Sequence, residues 1–85
     1  MRIKDWFYSK FDIEIAIEYN NKTLYLTLKS NDNGKRNIIL DNNKNEIYDF
    51  INERYKEYLS NDYTYNEIIN FFNCLKKDGF KLRIL

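Results

Sequence analysis

The sequence predicts an α+β domain of element order α-β-β-β-α-α-β, an antiparallel sheet with two amphipathic helices packed on one face. Three observations predict it. Apolar and polar residues alternate from Phe11 to Lys29, the period of half-buried strands. From Ile47 the apolar spacing changes to three and four, the period of helices. Alternation returns from Phe80 to Ile84. With 85 residues, 1–85 reads as a single domain.

Ile3, Trp6 and Phe7 have i, i+3, i+4 spacing and predict a short first helix. In the first strand Phe11, Ile13, Ile15, Ile17 and Tyr19 face inward, while Asp12, Glu14, Ala16 and Glu18 face outward. Asn20-Asn21 supplies a two-residue hairpin turn, because Asn tolerates positive φ. That turn sets Ile17 against Leu24, Ile15 against Leu26, Ile13 against Leu28 and Asp12 against Lys29. A slip of one residue would set every apolar side chain against a polar one.

The next turn is Asp32-Asn33-Gly34 with Gly34 left-handed. It sets Leu28 against Ile38 and Leu26 against Leu40. A two-residue Asn33-Gly34 turn would bury one residue of the third strand instead of two. The second helix carries Ile47, Phe50, Ile51, Tyr55, Tyr58 and Leu59 on one stripe, capped by Asn43 or Asn45. Ser60-Asn61-Asp62 interrupts it. Thr64-Tyr65-Asn66-Glu67 is a capping box for a third helix whose inward face is Tyr65, Ile68, Phe72 and Leu75. Gly79 ends that helix, and Phe80 to Ile84 forms the last strand.

Net charge is +1, so composition demands neither a nucleic-acid nor a membrane partner. The charged start Met1-Arg2-Ile3-Lys4-Asp5 leads into no long apolar run, so neither a leader nor a membrane span is expected. The lone Cys74 fits a reducing, cytoplasmic setting. Asn, Ile, Lys and Tyr dominate and proline is absent. This is the bias of AT-rich coding sequences of low-GC bacteria, their phages and plasmids.

Little catalytic chemistry is on offer. With no histidine, the usual general base and the commonest metal ligand are missing. One cysteine cannot build a structural zinc site, and two glycines cannot make a phosphate loop. Lys29 and Leu40 occupy the first and last ligand positions of a would-be calcium loop and exclude it. Asp12 and Glu14 could share acid–base work, but their plain reading is a charged solvent face. Cys74 reads as a small buried hydrophobe. No enzyme, metal or cofactor is expected.

Three surface features remain. Glu46, Asp49, Glu53 and Glu57 line one side of the second helix, where like charges at i, i+4 cost a few tenths of a kcal/mol per pair. They suit a basic groove, or they are the solvated side of an amphipathic helix. Lys76, Lys77, Lys81 and Arg83 could track phosphates, although the helix dipole and strand alternation already account for them. Tyr8, Tyr25, Tyr48, Tyr63 and Phe71 fall off the inward stripes and are either partner anchors, a homodimer seam included, or extra core.

The α-β-β-β-α order resembles that of double-stranded RNA-binding domains. Their binding residues are not matched: Asn20-Asn21 stands where a histidine-bearing loop is needed, and Asn45-Glu46-Ile47-Tyr48-Asp49 opens the helix with acid. The whole order is also similar to that of small phage-encoded inhibitors of CRISPR effector nucleases (anti-CRISPR proteins). That resemblance implies an acidic surface made by Glu46, Asp49, Glu53 and Glu57 with Asp12, Glu14 and Glu18, docking on a larger nucleic-acid-processing protein. The expectation is a non-enzymatic protein-binding inhibitor or accessory factor, with Tyr25 and Tyr48 as further contacts. A small nucleic-acid-binding regulator using Lys76, Lys77, Lys81 and Arg83 is the alternative.

Overall fold

A computed structural model describes residues 3–30, 33–41, 46–59 and 61–85, with the side chains of Ile3 and Glu46 left out. It is α+β. The elements are α1 (Ile3–Phe7), β1 (Ile13–Tyr19), β2 (Lys22–Ser30), β3 (Arg36–Leu40), α2 (Glu46–Arg54), a 3-10 turn (Lys56–Tyr58), β4 (Asp62–Tyr63), α3 (Tyr65–Lys77) and β5 (Lys81–Ile84). The five strands form one antiparallel sheet of order β4-β3-β2-β1-β5. The first three strands follow one another as a meander, and β5 returns to the far side of β1.

Both expected hairpin registers are present. Ile17, Ile15 and Ile13 face Leu24, Leu26 and Leu28, and Leu28 and Leu26 face Ile38 and Leu40. Asn20 and Asn21 both hold positive φ, 49° and 63°, as a primed two-residue turn requires. Gly34 is left-handed at φ 75°. The remainder of that turn, and the Asn43 and Asn45 caps, lie outside the described residues. The first ladder stops at Ile13, one pair short of Asp12 and Lys29. Asp12 instead accepts a hydrogen bond at Oδ1 from the Ser30 amide, 3.0 Å away. Phe11 therefore precedes the strand and is exposed rather than inward.

The inner sheet face packs Ile13, Ile15, Ile17, Leu24, Leu26, Leu28 and Ile38 against Ile47 and Ile51 of α2 and Ile68, Phe71, Phe72 and Leu75 of α3. Phe71, expected off the stripe, is completely buried, so the inward face of α3 is wider than Tyr65, Ile68, Phe72 and Leu75 alone. Cys74 is exposed, not buried, because its position on the helix lies beyond the edge of that stripe.

The stripe of α2 is shorter than expected. The helix ends at Arg54, and Tyr55 departs from helical geometry at φ −113°, ψ 25°. In the tighter turn that follows, residues three apart lie above one another. Tyr55 and Tyr58 thereby both reach the Phe71 ring, at centroid distances of 5.5 and 4.9 Å. Phe50 and Tyr19 are partly exposed instead of inward, and both flank Phe80 at 5.6 and 5.4 Å. The helix end is also tied to α3. Arg54 donates from Nε to Asp78 at 2.9 Å, and the Tyr55 hydroxyl donates to the same carboxylate. That hydroxyl donation, then the Arg54 charge, holds the Asp78 carboxyl below its ordinary range.

The ends of α3 are built as its sequence predicts. Thr64 Oγ1 accepts from the Glu67 amide at 3.3 Å, and Glu67 accepts from the Thr64 amide at 3.0 Å. At the other end the Gly79 amide donates to Lys76 and the Phe80 amide to Leu75, both at 3.0 Å, with Gly79 at φ 99°. This is a Schellman motif, in which only a residue tolerant of positive φ fits the turn.

One buried charge organises the N-terminal segment. Arg36 opens β3 on the inner face and is 1% exposed. A guanidinium has five N–H donors. Here Nε donates to the Phe7 carbonyl at 2.8 Å, Nη1 to Phe11 and Leu28 at 2.8 Å each, and Nη2 to Trp6 at 3.1 Å and Ser9 at 3.0 Å. Every donor therefore meets a carbonyl. Two of those carbonyls belong to the last residues of α1, whose orphan acceptors and negative dipole end favour a cation. Burial lowers the Arg36 pKa from its ordinary value, and the nearby Asp12 charge partly counters this.

Candidate protein-binding surfaces

Pairing aligns the outward side chains of the sheet in rows. One row runs Arg83, Ala16, Tyr25; the next runs Leu85, Glu14, Thr27, Ile39; a third runs Lys81, Glu18, Thr23. Among the described residues no helix lies over this face, since α2 and α3 pack on the opposite one. Ala16 is completely buried even though it points outward, because its methyl sits between taller neighbours. Tyr25 is 39% exposed, Ile39 43% and Leu85 55%. With Glu14, Thr27 and Asp41 they line one shallow concavity.

Of the candidate contact residues, Glu14, Glu18 and Tyr25 share this face. Glu18 accepts from Arg83 Nε at 3.0 Å, an exposed ion pair worth at most about 1 kcal/mol. Glu14 and Glu18 lie four residues apart along an extended strand, about 13 Å, too far to share a proton. Asp12 is turned to the Ser30 amide. Among the described residues no three His, Cys, Asp or Glu side chains gather where a metal ion could be held.

The other candidates lie in the helical layer across the core. Asp49 and Glu53 are exposed one turn apart on α2. Glu57 is exposed on the 3-10 turn, off the helical column that would continue from Glu53. Glu46 opens α2, and its side chain lies outside the described residues. Tyr48 is half-buried against the core. The acidic set is thus divided between opposite faces of the molecule. Glu14 and Glu18 stand on one, Asp49, Glu53 and Glu57 on the other.

The basic set is likewise divided, Lys81 and Arg83 on the outer face of the sheet and Lys76 and Lys77 on α3 across from it. Lys76 and Lys77 end α3, Lys81 and Arg83 alternate along β5, and all four are exposed. Between α3 and β5 runs a groove of about 180 Å³ lined by Ile69, Phe72, Lys76, Leu82 and Ile84 among others.

Ile39 and Leu85 were not singled out from the sequence, although a signal existed for Ile39. In Ile38-Ile39-Leu40 a strand that buries the outer two must expose the middle one.

No helix among the described residues is long and apolar enough to cross a membrane. Comparison with known protein families, characterised proteins and solved structures finds no match to this chain.

Proposed function

We propose that this protein is a non-enzymatic docking factor that binds a larger protein through the uncovered face of its sheet. The observation that carries the reading is the exposure of Tyr25, Ile39 and Leu85 in one concavity, rimmed by Glu14, Thr27 and Asp41. An apolar and aromatic centre with a polar rim is the anatomy of protein interfaces. Tyrosine suits the centre because it offers a large contact area with few rotatable bonds. In its sharpest form, which takes up the resemblance to phage inhibitors, the partner is a nucleic-acid-processing effector and the acidic side chains of this face, Glu14 and Glu18, enter its basic groove.

The test is capture of partners from host lysate on immobilised protein, with and without nuclease, comparing wild type with Ile39→Lys and Tyr25→Ala. Both positions are outward on strands, so circular dichroism should stay unchanged. A single large protein held after nuclease treatment by wild type, and lost by both variants, supports the reading. Equal retention by all three refutes it for this face. Glu14→Lys with Glu18→Gln, on the docking face itself, addresses the acidic-groove form separately. If retention is unchanged, that form is wrong.

The alternative, nucleic-acid binding through Lys76, Lys77, Lys81 and Arg83, predicts affinity that falls steeply with salt. Its geometry is less favourable, since Arg83 is already paired with Glu18 and Lys76 borders an apolar groove.

A further inference from the structure

The free edge of β5 carries a second binding feature, distinct from the open face. In an antiparallel pair, alternate residues turn both backbone groups toward the partner strand. The Leu85 amide donates to the Glu14 carbonyl at 3.0 Å, continuing the register in which Arg83 faces Ala16 and Lys81 faces Glu18. Residues 81, 83 and 85 therefore bond inward to β1. The amides and carbonyls of Leu82 and Ile84 point the other way, out of the sheet. Among the described residues no strand pairs with that edge, because β5 ends the sheet.

We infer that this edge accepts an extended peptide strand in which apolar and acidic residues alternate. The row of backbone groups sets the extended conformation, as in other cases of strand addition. Alternation follows from the pleat. Residues of the incoming strand opposite Leu82 and Ile84 lie over the groove formed with Ile69 and Phe72, which takes apolar side chains. Residues opposite Lys81 and Arg83 lie on the outer face, where exposed Lys81, together with Arg83 shared with Glu18, selects carboxylates. Lys76 at the groove border adds a third positive charge.

The same charges argue against a second copy of this chain as the occupant. Two antiparallel self-pairings engage all of β5 and keep its faces aligned. One sets Leu82 against its own copy and Lys81 against Arg83. The other sets Leu82 against Ile84 and Arg83 against its own copy. Both oppose like charges, a recognised protection of sheet edges.

The inference rests on the protein being a docking factor but uses a different surface, so the two can fail separately. The probe is a synthetic eight-residue peptide of alternating Glu and Val, titrated into the full chain while backbone amide resonances and hydrogen exchange are followed. The expected result is slowed exchange at Leu82 and Ile84, with little change at Tyr25 and Ile39. An alternating Lys and Val peptide should bind about tenfold more weakly. Ile84→Pro removes one outward amide while leaving the inward bonds of Lys81, Arg83 and Leu85, and should abolish the protection.

Exchange at Leu82 and Ile84 that is unmoved by millimolar Glu–Val peptide overturns the inference, and this readout needs no variant to fold. Equal binding of the two peptides, protection by an oligonucleotide in place of the peptide, or a concentration-dependent dimer joined at β5 also overturns it. If the peptide protects the edge but lysate capture ignores Tyr25 and Ile39, only the open-face reading falls.

Discussion

Replacing Arg36 with methionine takes one donor from each of five backbone carbonyls, of which Trp6 keeps the Ser9 amide and Ser9 the Ser30 hydroxyl. Those of Ser9, Phe11 and Trp6 are only part-buried in these bonds, and water can replace the guanidinium there. The bonds to Phe7 and Leu28 are buried; Leu28 keeps the Ile13 amide through the β1–β2 ladder, so the Phe7 carbonyl is the one left with no recourse. Each unsatisfied buried acceptor costs about 1–3 kcal/mol. With one such acceptor and weaker losses at the other four, the net cost is about 2 kcal/mol. A domain of this length holds roughly 4–13 kcal/mol in all. With a urea slope near 1 kcal/mol/M, the midpoint should fall by about 2 M.

Urea titration followed by circular dichroism measures the global loss. Fluorescence of Trp6, the one tryptophan, reports α1 separately. Arg36→Lys should fall between wild type and Arg36→Met. An ammonium keeps the charge but has three donors at one point in place of a five-donor fork. A midpoint within about 0.5 M of wild type for Arg36→Met would refute the argument that this side chain holds α1 on the sheet. Full stability in Arg36→Lys would show that charge alone suffices.

Two further predictions concern α2 and α3. Asp78 has a folded pKa below its ordinary value of 3.8, so its contribution is complete above that value and is lost as pH falls through the folded one. Asp78→Asn should therefore be less stable than wild type at pH 6, with the gap closing as acid titration passes below the ordinary value; a gap independent of pH counts against the Tyr55–Asp78–Arg54 link. Phe71→Ala should cost about 3–5 kcal/mol because the ring is completely buried, whereas Phe50→Ala should cost less than half of that; comparable losses in thermal denaturation would contradict the observed division of core and surface.

The registers of the two hairpins were readable from sequence because period-two alternation and two Asn- and Gly-containing turns constrain one another, although β1 begins two residues after Phe11 and the short β4 was not expected. Ile13, Ile15 and Ile17 can meet Leu28, Leu26 and Leu24 in only one register. Capping chemistry was readable for the same reason: Thr64, Glu67 and Gly79 each satisfy a local backbone need. What escaped depended on contacts distant in sequence. Arg36 reads as an ordinary strand-edge cation until the carbonyls of residues 6 to 11 are folded over it. Phe71 reads as surplus until Tyr55 and Tyr58 arrive from another element.

The helix break after Arg54 has no Gly or Pro to announce it, so the acidic stripe was drawn one turn too long. The docking surface was half visible. Glu14, Glu18 and Tyr25 follow from alternation, but that Asp49 and Glu53 stand across the core from them is a matter of how layers stack.

The placement of β5 beside β1 has a consequence in time. Glu18 and Arg83 meet although 65 positions separate them, whereas β1, β2 and β3 pair through short turns. The meander is complete at Leu40, 43 residues before Arg83, and a ribosome needs roughly 2–9 s to add those. Throughout that interval the nascent meander carries β1 as an open edge flanked by Ile13, Ile15 and Ile17. The outward carboxylates Glu14 and Glu18 are then what stands between the growing chain and premature pairing with its neighbours.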